Sequence, residues 1–494
     1  MTKKHMLLGS AAALTAISSA QAADLPVKAK PVEYVRICSL YGEGFYYIPG
    51  TDVCLKIGGY VQSDFGWNVT GARTPHYSGA AGAQDRSVSP YSTRHRAHFN
   101  FDSRTQTAYG TLRTYVAVHI DNENQGTVTV NPTRAFIQWA GFTFGHTKSF
   151  TDVPGTPQPD TFRSLMAAQN WSDSGGNGTN QIAYTWELGN GMTLNVGADE
   201  RRTKGIANLS TNIVTVGANP ATSFGPYQHP TPWVNFAVNQ AWGRFATSAI
   251  FNKVNATYYT GTLATTGNCP VGQTGTSACG YPDDKWGWAV LSGIDIKAPW
   301  AGPGDHFGGF FNYGVGAAAY SGGTNLTSPS LFGGNNQVAL GVLTDGVFVN
   351  GGQFQLTTAW TVGAGYEHFW LPNLSTTLWG TYTQVRYNDT VINSNMFCAG
   401  GVAVAQNLTL NSGNQPCDPG FNFWIVGMIH NWFPVPGFRL ALEVDYIRVE
   451  TAFDGQLISL GKTQGLRPTG IYTAKDQGII SVMFRAQRAF ASGE

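Results

Sequence analysis

Charge is scarce in this chain. Asp, Glu, Lys and Arg make up 12% of 494 residues and the formal net charge is +1, about half the charged share usual in soluble domains. With no basic tail and no long run of one sign, a nucleic-acid partner is excluded. Long apolar runs are missing beyond residue 22. Nothing there approaches the roughly eighteen residues a membrane helix needs, which excludes a helical membrane protein. Catalytic signatures are absent too: no HExxH, GxSxG, Walker loop or EF-hand occurs, and the ten histidines are scattered singly. Asp173-Ser174-Gly175-Gly176 has the look of a protease nucleophile motif. A serine nucleophile needs a base, however, and here Ser172 stands where glycine is expected and no matching histidine segment exists. These absences point away from an enzyme and imply no cofactor and no metal.

Cysteine is sparse but orderly. The six fall into three local pairs, Cys38 with Cys54, Cys269 with Cys279 and Cys398 with Cys417. Lys3 and Lys4 precede an apolar stretch over 6–17 and a small-residue site at Ala20-Gln21-Ala22, the pattern of a secretory signal peptide over 1–22. In an exported chain, three disulfides are expected. The rival, metal ligation, is weaker because no spacing is CxxC-like and no histidines cluster nearby.

Glycine (61 residues) and aromatics (13%) are plentiful. Residues 23–54 carry Pro26, Pro31 and Pro49 and read as a short irregular preamble. From residue 55 the chain alternates: Leu55, Ile57, Val61, Phe65 and Trp67 point one way, Lys56, Tyr60, Gln62, Asp64 and Asn68 the other. A period of two means strand. Fifteen further segments read as strands, over 92–103, 110–120, 134–139, 142–148, 181–188, 192–199, 233–241, 244–253, 285–297, 306–320, 353–370, 375–388, 421–432, 437–450 and 477–490.

Alternation alone leaves open which face meets solvent. The connections decide it. Short links, such as those at Ala140-Gly141 and Asn190-Gly191, alternate strictly with long ones, and the tally is even. An all-β, sixteen-stranded antiparallel transmembrane β-barrel over 55–490 is therefore expected, with short periplasmic turns and long external loops. The strand over 55–69 should pair with that over 477–490, because hydrocarbon tolerates no open sheet edge. Trp67, Trp139, Trp186, Trp286, Trp370 and Trp432, near strand ends, would supply interfacial girdles.

Between two hairpins lies a stretch of Pro, Gly, Ser, Asp and Asn over 149–180, the third long loop. A structureless loop of that length usually has a task, and folding inward to narrow a pore would be one. Arg94, Arg96, Arg113 and Arg134, on polar faces of adjacent strands, would line one patch of inner wall. The loop would bring Asp152, Asp160 and Asp173 towards it. Opposed charges across a narrow wet gap make a transverse field that orients polar solutes.

The segments GEGFYYIPGTDVCLKIGGYV at 42–61, DLPVKAKPVEYVRICSLY at 24–41, RTQTAYGTLRTYV at 104–116, RAFIQWAGFTFG at 134–145 and RAQRAF at 485–490 resemble the general porins of alphaproteobacteria. The resemblance spans essentially the whole mature chain. It implies a homotrimer in the outer membrane, among outer-membrane lipid and lipopolysaccharide, with an inward-folded third loop and passive diffusion of small hydrophilic solutes and ions. Family members usually end on an aromatic, whereas residues 491–494 extend beyond Phe490. A substrate-specific channel of the same architecture, or a non-conducting barrel acting through its external loops, are the alternatives.

Overall fold

The structure, a computed structural model, describes residues 36–490 apart from 72, 125, 159, 168–169, 177, 210–223, 259–279, 394–396, 398–416 and 461–465. Sixteen strands form one closed antiparallel barrel. In chain order they are β1 Cys54–Trp67, β2 Tyr91–Thr107, β3 Gly110–Glu123, β4 Thr129–Trp139, β5 Phe142–Thr147, β6 Thr179–Gly189, β7 Met192–Asp199 and β8 Thr231–Gln240. There follow β9 Gly243–Val254, β10 Lys285–Lys297, β11 His306–Val315, β12 Thr358–Leu371, β13 Leu374–Arg386, β14 Phe421–Val435, β15 Phe438–Glu450 and β16 Gln477–Ala489. Each strand pairs with its chain neighbours, and β1 closes the ring on β16 with Asp64 opposite Arg485 and Trp67 opposite Val482. Closure leaves no unpaired edge, the condition a sheet must meet in hydrocarbon.

Burial settles the faces. On β1, Val61, Phe65 and Trp67 are 55%, 38% and 53% exposed, whereas Gln62 and Asp64 are 3% and 2% exposed. The apolar set therefore points outward and the polar set inward, the reverse of a soluble sandwich. All six tryptophans expected in the girdles are exposed. The turns at one end are tight. At Asn190 and Gly191 both residues adopt positive φ, 50° and 70°, the geometry that a two-residue hairpin with the native strand twist requires.

Eight connections, first to eighth and all but the second long, occupy the other end: 68–90, 124–128, 148–178, 200–230, 255–284, 316–357, 387–420 and 451–476. Cys38 and Cys54 form a disulfide with Cα atoms 6.0 Å apart, tying the preamble to the base of β1, where Tyr46–Tyr47 pairs with Leu55 and Cys54. Cys417 is disulfide-bonded. Its expected partner Cys398, the Cys269 and Cys279 pair, the signal segment 1–22 and residues 491–494 lie outside the described residues.

Several expected boundaries move, among them the start of β4, at Thr129 rather than 134, and of β12, at Thr358 rather than 353. The strands around 104–109 continue to Thr107 and restart at Gly110, so Arg104 lies in β2 opposite Arg113 rather than in a turn. The cause is that backbone pairing runs on past the last alternating apolar residue. The strand expected over 306–320 stops at Val315, where Gly316 takes φ 68° and the chain bends into a one-turn helix, Ala318–Ser321. The sixth connection that follows is mostly buried and carries short strands of its own.

The third connection runs along the inner wall. Its Gly155 adopts φ 80° and presses on β10 and β11 so closely that a Cβ there would lie 2.1 Å from the Ile294 carbonyl oxygen and 2.4 Å from that of Gly309. A side chain at positive φ adds about 1–2 kcal/mol of strain. Gly155→Ala should therefore lift this segment off the wall and speed proteolytic cleavage within 148–178, read by limited digestion of the folded barrel. Cleavage as slow as in the parent would show that the contact is not needed to hold the segment.

Candidate functional site

The inner face of β1 to β3 is built from cross-strand pairs of opposite charge. Register sets Asp64 opposite Arg94 on one side and Arg485 on the other. Its carboxylate accepts from Arg94 Nη2 at 2.6 Å and Arg485 Nε at 2.7 Å, all three side chains being 6% exposed or less. Arg96 grips Asp121 with Nε and Nη2 at 2.6 and 2.7 Å. Asp102 is shared by two arginines, with Arg104 Nη2 at 2.8 Å and Arg113 Nη2 at 2.9 Å. Buried carboxylates of this kind persist only where paired charge and hydrogen bonds offset lost hydration. Arg134 differs: its Nη1 donates to the carbonyl of Gly176 at 2.9 Å and its Nη2 to that of Gly175 at 3.4 Å, so it ties β4 to the third connection.

Alternation places seven cations on the inner face of β16 and β1 to β4: Lys56 and the arginines Arg94, Arg96, Arg104, Arg113, Arg134 and Arg485. Four carboxylates, Asp64, Asp102, Asp121 and Glu123, share that face, leaving three positive charges in surplus. Of these, Arg104 and Arg113 reach the lumen, 27% and 28% exposed over a carboxylate that is 10% exposed, whereas Arg94 and Arg485 are buried.

The third connection crosses the barrel against inward-facing side chains. Arg163 Nη1 lies 2.6 Å from Glu367 Oε1 on β12. Glu443 on β15 accepts from Ser164 Oγ and the Met166 amide, both at 2.9 Å, and from the Leu165 amide. Asn170 exchanges hydrogen bonds with Thr381 and Thr383 of β13 at 2.7 and 3.0 Å.

The three expected loop acids behave differently from one another. Asp152 is turned into the connection, accepting from the Ser174 amide at 3.0 Å and Ser174 Oγ at 2.6 Å, with Arg202 Nη1 at 3.6 Å. Asp173 accepts from the Gly175 amide at 2.7 Å. Burial, with Asp152 beside it, pushes its carboxyl up to about 6. Asp160 alone is open to the lumen, 57% exposed and paired with Lys148. It rims a cavity of about 200 Å³ between the connection and β8 and β9, where Arg244 also projects. The arrangement thus sets a wall with a surplus of arginine, of which Arg104 and Arg113 are the more open, beside a loop whose negative charge is mostly folded into itself.

Arg104 and Arg485 complete this wall without having been singled out from sequence. Arg104 was hidden in an apparent turn. Arg485 carried a usable signal, since it alternates with the outward Phe484 and so had to point inward. Among the described residues no group of three or more His, Cys, Asp or Glu side chains is placed to hold a metal ion.

Comparison with known proteins agrees with this geometry. The chain is 31% identical to the porin Omp2a of Brucella abortus over 310 residues, covering 60% of this chain and 79% of that protein. It is 33% identical to the outer membrane protein y4fJ of Sinorhizobium fredii over 194 residues, 38% of this chain and about half (52%) of that one. The outer membrane channel DcaP of Acinetobacter baumannii shares the fold, with a TM-score of 0.53 at 14% identity over 90% of this chain and 99% of its own. Residues 24–483 match the family model described as the porin subfamily, and the chain, a sixteen-stranded barrel of the outer membrane, belongs to that family.

Proposed function

We propose that this porin is a general diffusion channel, passing small hydrophilic solutes and ions down their gradients through a water-filled lumen. The supporting observation is the inner wall itself, where cations outnumber carboxylates and two half-buried arginines, Arg104 and Arg113, share the single carboxylate of Asp102. Such a wall across a narrow gap attracts anions, orients dipolar solutes and penalises apolar ones, which lose water without replacement. Arg96, Arg113 and Arg134 line the basic side, while Arg94 lies on the same face buried against Asp64. Asp160 is the one expected loop acid in contact with passing water, while Asp152 and Asp173 hold the loop's own shape. No bond is made or broken in this process, and no cofactor takes part.

The same reading divides the chain into a cleaved signal over 1–22, a periplasmic preamble over 23–54, the barrel over 55–490 and a C-terminal extension over 491–494. Its partners are two further copies in a homotrimer, outer-membrane lipid and lipopolysaccharide, and the diffusing solutes and ions.

Two outcomes are expected. Replacing Arg104 and Arg113 together with Gln strips Asp102 of both cations and changes the wall by two charges, so the reversal potential in a salt gradient should move towards cation selectivity. An unmoved potential would take this wall out of the conduction path. The native mass of the detergent-extracted protein should be three times that of the heat-denatured chain, whereas a monomer mass before heating would rule out the trimer.

A further inference from the structure

The sixth connection, at the outer end of the barrel, does not stand out into solvent. Its first residues turn back into the lumen: Asn252 of β9 donates to the Gly316 carbonyl at 2.7 Å, and Thr361 of β12 donates to that of Ser321 at 2.9 Å. Both side chains are fully buried on the inner wall. The chain then settles on the third connection, where the Thr324 amide donates to the Trp171 carbonyl at 3.1 Å and the Asp173 amide to Thr324 Oγ1 at 3.1 Å.

From there it reaches the remaining loops. Ser330 bonds the first connection through the Tyr77 carbonyl at 3.1 Å, and Val342 bonds the seventh through that of Pro419 at 3.3 Å. Gly346–Phe348 adds in parallel to Ile206–Asn208 of the fourth, and Gln337–Leu340 adds to Gly470–Ala474 of the eighth. Leu331, Val338, Leu343 and Val347 are 1% exposed or less. A loop that merely decorated the surface would leave such side chains wet.

One pair fastens the arrangement. Asp345, fully buried, accepts from the Ala318 amide and the Lys204 amide, both at 2.8 Å, so a single carboxylate clasps two stretches of the sixth connection to the fourth. Lys204 Nζ in turn donates to the carbonyls of Thr324 and Leu326. Removing either side chain leaves buried polar groups without partners, which is costly in a dry site.

We propose that the sixth connection is an outer size filter, stacked on the third, and that Asp345 and Lys204 are the positioning residues that hold it across the mouth. A solute entering from outside meets it first, so the largest molecule admitted is set there as well as at the arginine wall. This rests on the channel reading above, and the test separates the two.

Val315 and Thr358 are paired neighbours on β11 and β12, so residues 317–356 can be excised and replaced by a short Gly-Ser turn without parting the strands. A second variant, Asp345→Ala with Lys204→Met, keeps the loop and removes the clasp. Single-channel conductance and the exclusion limit for polyethylene glycols of graded size are then measured for the intact protein and both variants, after heat-modifiable migration has confirmed folded barrels.

Excision should raise conductance about twofold or more and admit larger polymers, with the clasp variant moving in the same direction. An excised barrel that conducts with the parent's conductance and exclusion limit would overturn the filter while leaving the channel intact. If the excised barrel moves but the clasp variant matches the parent, the role of Asp345 and Lys204 is overturned. Folded protein that stays silent in all three forms would overturn the channel reading and the filter with it.

Discussion

A chain that crosses hydrocarbon as strands has to satisfy every backbone amide and carbonyl within itself, and the rest of this structure follows from that demand. The ring closes where β1 meets β16, bringing together residues more than 400 positions apart, Asp64 and Arg485 among them. Once the outside is committed to lipid, alternation sends every second side chain inward, which is why a chain poor in charge concentrates much of it on one surface. The arginine wall is thus a consequence of closure: it needs no dedicated domain, only the inward positions of adjacent strands.

Inside, the decisive balance is between hydration and pairing. A carboxylate as buried as Asp64 could not stay ionised alone, and two guanidinium groups hold it. Asp102 is held in the same way by Arg104 and Arg113. Sharing one anion between two cations keeps each carboxylate satisfied and leaves positive charge over for the lumen. Beside this wall, on β15, the relation is reversed, with a carboxylate of the barrel holding the third connection: Glu443 accepts from three donors in the 164–166 stretch. The same chemistry builds both the selective surface and the element that narrows the passage beside it.

Much of this was legible in the sequence, for physical reasons. Period-two alternation marked the strands, Asn190-Gly191 marked a hairpin, and the alternation of short and long links implied a closed barrel. What alternation could not say was which residues lie beyond the last apolar position yet still pair, so Arg104 was misplaced into a turn. Nor could it distinguish a long loop outside the barrel from one folded within it. A clue did exist in the sixth connection, where Val338, Leu340, Val342, Leu343, Val347 and Phe348 crowd into a stretch that a solvent-facing loop would fill with polar residues. The inward turn of Asp152 was beyond reach, because its partners, Ser174 and Arg202, come from positions 22 and 50 residues away that only the folded loop brings together.

Diffusion through this protein requires a water-filled lumen running through the barrel, and the purified protein in a planar bilayer addresses that directly. Discrete insertion steps whose conductance rises with salt concentration, without saturation by any single sugar or amino acid, are the predicted result. A folded barrel that inserts but carries no current would contradict it, while saturation by one solute would replace general diffusion with a specific site.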